Sequence, residues 1–133
     1  MLSTKEQRRE VSDYLYDHAD EKDIYMKKNC VNAEHVHALI DLPVDRAVKD
    51  VAQLLKGSSS HWINKNDVSG GKFAWSTGYA AFSVSNDRVP DVVQYIADQQ
   101  QHHRATSFRE EWETFLTEQG FGDVVALEEE ESP

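Results

Sequence analysis

Residues 34–43 read Glu34-His35-Val36-His37-Ala38-Leu39-Ile40-Asp41-Leu42-Pro43, and the alternation inside this stretch decides how the chain folds. Val36, Ala38, Ile40 and Leu42 interleave with His35, His37, Leu39 and Asp41. In a strand successive side chains point to opposite faces, so the first set turns to a core and the second turns away. The two histidines then stand side by side on the less apolar face. Pro43 has no N–H to give to a ladder and ends the strand.

Upstream, Thr4 with Gln7 forms a capping box for a helix from about Thr4 to Ala19, with Val11, Tyr14, Leu15 and His18 on one face. An extended piece comes next, from Ile24 to Met26 and on towards Val31, where polar Lys27-Lys28-Asn29 predicts a bend or bulge. Downstream, Asp45 is expected to cap a helix with Val48, Val51, Ala52 and Leu55 as its buried stripe, and Gly57 to end it. Ser58-Ser59-Ser60 would open a further turn carrying His61-Trp62-Ile63, before a loop from Lys65 to Gly71. Phe73 to Ser85 reads as one or two strands broken near Gly78, with Ala80, Phe82 and Val84 on one face. A third helix is expected from Pro90 to His103, packed through Val93 and Ile96, with Tyr95, Gln99 and His102 stacked along a neighbouring face. Ser107 and Glu110 would cap a last helix carrying Trp112, Phe115 and Leu116, closed by Gly120. The order is helix, strand, strand, helix, strand, helix, helix. That is an α+β layout with helices covering a largely antiparallel sheet.

The chain has 133 residues, enough for one domain, and 39% hydrophobic content excludes a disordered chain. Residues 1–122 are expected to form that domain, and 123–133, with Glu128-Glu129-Glu130-Glu131, an acidic, disordered tail. No apolar run is long enough to span a bilayer, and no basic-then-apolar leader opens the chain. The lone Cys30 cannot form an internal disulfide, which fits a reducing cytoplasm. A net charge of −10 argues against indiscriminate nucleic-acid binding, and discounting the four tail glutamates leaves the body acidic. Any polyanion must be held by a local site.

Two histidines at i and i+2 on a strand can present both imidazoles to one metal ion. Taken alone, such a pair is more simply a polar strand face, and a third ligand is required. On a helix Tyr95 and Gln99 lie one turn apart, so the Gln99 carbonyl can reach an ion beside the phenol. Taken alone, that pair is a partly buried tyrosine beside a surface glutamine.

His35-Val36-His37 resembles the His-hydrophobic-His signature of the single-tyrosine HUH transposases, which the smallest bacterial insertion sequences encode. Leu55-Lys56-Gly57-Ser58-Ser59 with Trp62-Ile63-Asn64 is similar to the helix after that strand, and Phe73-Ala74-Trp75 with residues 78–85 to the next strand. Tyr95-Ile96, Gln99, His102-His103, Ser107-Phe108 and Glu111 match the catalytic helix and the segment after it. The resemblance covers roughly residues 5 to 120, in order.

It implies a ferredoxin-like (RRM-like) antiparallel sheet with helices on one face, and cleavage and rejoining of single-stranded DNA through a 5′-phosphotyrosine. Tyr95 would be the nucleophile, and His35, His37 and Gln99 would hold a divalent ion, Mg²⁺ or Mn²⁺. Partners would be DNA hairpins at element ends and a second copy of the chain, with active sites shared in some dimers. Lys56, Ser59, Trp62, Lys65 and Arg104 are candidates for contacting DNA, the cations at phosphates and the tryptophan on a base. Trp62 also suits core packing, and the lysines ordinary solvated charge. Family chains begin with a central strand ahead of the first helix, whereas this sequence starts at the helix. The expected sheet therefore lacks its usual first strand, through a truncated start, strand exchange in a dimer, or a degenerate gene. Two other readings compete with the active enzyme: a non-catalytic hairpin-binding descendant, and an unrelated hydrolase using His35, His37 and His102.

Overall fold

The computed structural model describes residues 1–75, 79–98 and 124–128. Helix α1 (Lys5–Glu21) starts at the expected capping box, with the Gln7 N–H donating to Thr4 Oγ1 and the Thr4 N–H to Gln7 Oε1. It ends with Asp23 in the left-handed region (φ 59°) and the Ile24 N–H donating back to the Ala19 carbonyl. That 6→1 bond is a Schellman closure with aspartate in the place glycine usually takes. Strands β1 (Tyr25–Val31) and β2 (Val36–Asp41) then pair antiparallel, Val31 opposite Val36 and Cys30 opposite His37. The bulge expected near Lys27 is present, as a register shift between Met26 and Lys28. Asn29 fastens it to α1: its side chain bonds Ser12 twice, and its N–H donates to Tyr16 Oη.

Helix α2 (Val48–Lys65) differs from its expected form. It begins after Ala47 with no side-chain cap, so Asp45 is not its N-cap. It also runs without a break through Gly57 and the three serines. The Ser58 and Ser59 hydroxyls donate to the carbonyls of Leu54 and Leu55 one turn back, leaving neither to start a new turn. Burial of Val51, Ser59 and Ile63 along one stripe holds the helix together past the glycine. It closes as α1 does, with Asp67 at φ 53° and Val68 N–H bonded to Ile63 O.

Phe73 and Trp75 are buried without belonging to a strand. Asn64 holds Phe73 through both backbone groups, at 2.9 and 2.7 Å, and the Trp75 indole donates to Ser59 Oγ at 2.9 Å. Strand β3 (Tyr79–Phe82), a 3₁₀ turn (Asn86–Arg88) and helix α3 (Val89–Asp98, with Pro90 in its first turn) come next. Strand β4 (Val124–Glu128) pairs antiparallel with β3. Within the segment 123–133 expected as an acidic tail, residues Val124–Glu128 form this strand.

The α+β class is as expected, and the described strands form two antiparallel two-stranded sheets, β1–β2 and β3–β4. The main core joins α1 and α2 to one side of the β1–β2 ribbon through Val11, Leu15, Val51, Ile63, Met26 and Val31, with Val36 and Ile40 packed against it. Cys30 and Leu39 point the other way and are apolar too, so that face also needs cover; Val92, Tyr95 and Ile96 of α3 supply it. Val92 fills the packing position expected of Val93, which is only half-buried.

Candidate active site

The face of β1–β2 turned towards α3 carries the residues with chemistry. Alternation along β2 sends Val36 and Ile40 to the main core and leaves His35, His37 and Leu39 on the other side. The His35 and His37 rings lie 5.4 Å apart between centroids, edge to face at 89°. Directly across from His37 is Cys30, and residues paired across two strands project from the same face. Cys30 packs in one cluster with Tyr95, which is 9% exposed. Strand register and helix packing together thus bring His35, His37 and Tyr95 to one side of one ribbon.

Asn32 completes this face. Its N–H donates to the His35 carbonyl at 2.8 Å, closing a two-residue turn over Ala33 and Glu34. Its side-chain amide lies 3.1 Å from His35 Nε2, and the residue is only 7% exposed. Sequence reasoning passed over Asn32, although the signal was legible: counting outward from the turn, Asn32 mirrors His35 as Cys30 mirrors His37. Cys30 likewise finds its neighbours across the ladder and on α3.

His35 and His37 are the described residues that could together hold a divalent ion, through one imidazole nitrogen each. Among the described residues no group of three or more His, Cys, Asp or Glu could hold a metal, so two imidazoles need donors of another kind. Gln99, expected as that donor, lies outside the described residues, as does Arg104.

The other residues expected at DNA do not gather here. Ser59 is 1% exposed, its hydroxyl donating to Leu55 O and accepting from Trp75 Nε1. The hydroxyl is thus engaged within the core. Trp62 packs against the main core, on the α1–α2 side, and stacks on Tyr14 at 4.5 Å. Both line a recess of about 450 Å³ ringed by Glu10, Asp13, Asp17 and Glu21, whose charge opposes a phosphate backbone. Lys56 is half-buried on α2 and Lys65 exposed at its last residue.

Fold and site together define an α+β chain that sets paired strand histidines and a helix-borne tyrosine on one sheet face. The chain belongs to the IS200-like transposases, whose family model (Transposase IS200 like) matches residues 1–99. No curated protein and no solved structure matches it. Membership carries a transposase-type role, with DNA as partner and transposition and DNA recombination as the process. Among the described residues no helix is long and apolar enough to cross a membrane.

Proposed function

We propose that this protein is a DNA transposase that cuts and rejoins single-stranded DNA by transesterification at Tyr95. The observation that carries the reading is the shared face: His35 and His37 side by side on β2, and Tyr95 on the helix covering that same side. The phenol oxygen of Tyr95 attacks a backbone phosphorus, forming the O–P bond of a 5′-phosphotyrosine while the bond to the 3′ oxygen breaks. The phenol's proton passes to solvent, and the departing strand leaves with a free 3′-OH. A 3′-OH attacking the phosphotyrosine reverses the exchange, so bond energy is conserved and no nucleotide cofactor is required.

A phenol of pKa about 10 is a weak nucleophile at neutral pH, so the reaction depends on electrostatic help. His35 and His37, with Gln99, would hold Mg²⁺ or Mn²⁺, and a bound divalent ion neutralises charge developing on the non-bridging phosphate oxygens. Lys56, Lys65 and Arg104 are the cations assigned to the DNA backbone, with hairpins near element ends as substrate and a homodimer as the working form.

Incubating the protein with single-stranded hairpin DNA and Mn²⁺ should yield a covalent protein–DNA adduct on a denaturing gel. Tyr95→Phe should abolish it, and chelation should suppress it. A Tyr95→Phe protein that still forms the adduct would remove Tyr95 as nucleophile. The net charge of −10 favours one alternative, a hairpin-binding descendant without catalysis. On that reading the parent forms no adduct, yet binds the hairpin equally well with chelator present or with Tyr95→Phe.

A further inference from the structure

The geometry points to Asn32 as an additional oxygen donor to the cation held by His35 and His37, an inference that rests on the metal-site reading above. Three observations converge on this residue. The first is its direction. Cys30 and Asn32 are two apart on the same strand and its continuation, and Cys30 faces α3. Alternation sends Asn32 to that same face, where it meets His35.

The second is distance. The Asn32 amide is 3.1 Å from His35 Nε2. Donors at about 2.1 Å from a six-coordinate ion, at right angles, are about 3.0 Å apart. The contact is a hydrogen bond, and its length is also the spacing of neighbouring ligands on one ion. A half-turn of the amide exchanges its nitrogen and oxygen in the same volume, so Oδ1 can occupy the position facing the ion.

The third is chemistry. Asn32 is 7% exposed, and the polar partner its buried amide requires is His35 Nε2, which keeps the amide beside the histidine pair. Two imidazoles alone suit a soft or borderline ion, whereas Mg²⁺ and Mn²⁺ prefer oxygen. With no third His, Cys, Asp or Glu grouped among the described residues, a neutral amide oxygen beside the pair supplies the harder donor. The turn holds it there without a large entropy cost on binding, since the Asn32 N–H is already bonded to the His35 carbonyl at 2.8 Å.

Mn²⁺ alone, added to the full chain without DNA, is the probe. Its binding is read from the loss of the free-ion EPR signal, with circular dichroism melting in chelator as the check on folding. Asn32→Ala is expected to weaken Mn²⁺ binding at least ten-fold, and Asn32→Asp to restore or tighten it, because an anionic oxygen takes the same place. With ¹³C-labelled asparagine, ENDOR spectra of the Mn²⁺ form should show a coupled amide carbon that is absent in Asn32→Ala. A residue that merely braces the turn gives no such coupling. If Asn32→Ala binds Mn²⁺ as tightly as the parent while His35→Ala does not, Asn32 is no ligand and the histidine site stands. Parent binding that is absent, or indifferent to His35→Ala, overturns both readings. Should Asn32→Ala fail to fold, Asn32→Asp decides: a ten-fold loss of affinity in that variant overturns the assignment.

Discussion

Polar residues in this chain do two kinds of work that composition does not distinguish. Ser59 and Asn29 look like surface residues by type, yet both are buried and hydrogen-bonded to neighbours within the fold. The Ser59 hydroxyl is the acceptor for the Trp75 indole, at 2.9 Å. Replacing it with alanine strands that N–H in the core, at a cost of about 1–2 kcal/mol. Urea unfolding should show this as a lower midpoint with an unchanged slope. His35 and His37 are the opposite case, polar residues whose facing was legible beforehand because apolar Val36 and Ile40 alternate with them. The partners of Asn32 and Cys30 are set by register across the turn at Ala33 and Glu34, so that turn must be placed before either residue can be read.

Among the elements, helix ends separate what local chemistry can and cannot specify. Thr4 and Gln7 form their capping box within four residues, and the sequence pattern found it. The C-terminal ends of α1 and α2 close through Asp23 and Asp67, left-handed residues that a search for glycine overlooks, while Gly57 sits inside a helix. Among the described residues nothing stands within 4 Å of where a Gly57 side chain would begin. Gly57→Ala should therefore stabilise the protein by roughly 0.5–1 kcal/mol through helix propensity. Asp67→Gly should stabilise it by a similar amount, roughly 0.5–1 kcal/mol, by relieving the left-handed backbone. Thermal melting of the two single variants and the double variant checks both effects and their additivity. Loss of stability in Gly57→Ala would mean that the helix needs the glycine for close approach of something else.

At the scale of the molecule, the described strands form two antiparallel pairs, and the later one depends on Val124–Glu128. Ending the chain at Gly122 deletes β4 and leaves β3 without its ladder. Hydrogen exchange should then show faster exchange at the amides of Tyr79–Phe82, with α1 and the β1–β2 ribbon unchanged. Protection retained at Tyr79–Phe82 would mean that β4 contributes little to holding β3. The acidic surface gathers in part on the α1–α2 side, around Trp62, away from the histidine-bearing face. That division allows a chain of charge −10 to act on DNA through a local site, without a field that attracts any polyanion.

Periodicity by itself determined the strand that carries the histidines, the side to which they turn, the first helix with its cap, and the tyrosine helix that begins near Pro90. These are local consequences of which residues must avoid water. Only tertiary structure decided that α3 covers the histidine face, that Asn32 and Cys30 belong to it, and that Ser59 and Trp62 do not. Those facts depend on strand register and on which surfaces bury each other, interactions between residues far apart in the chain that no local pattern encodes.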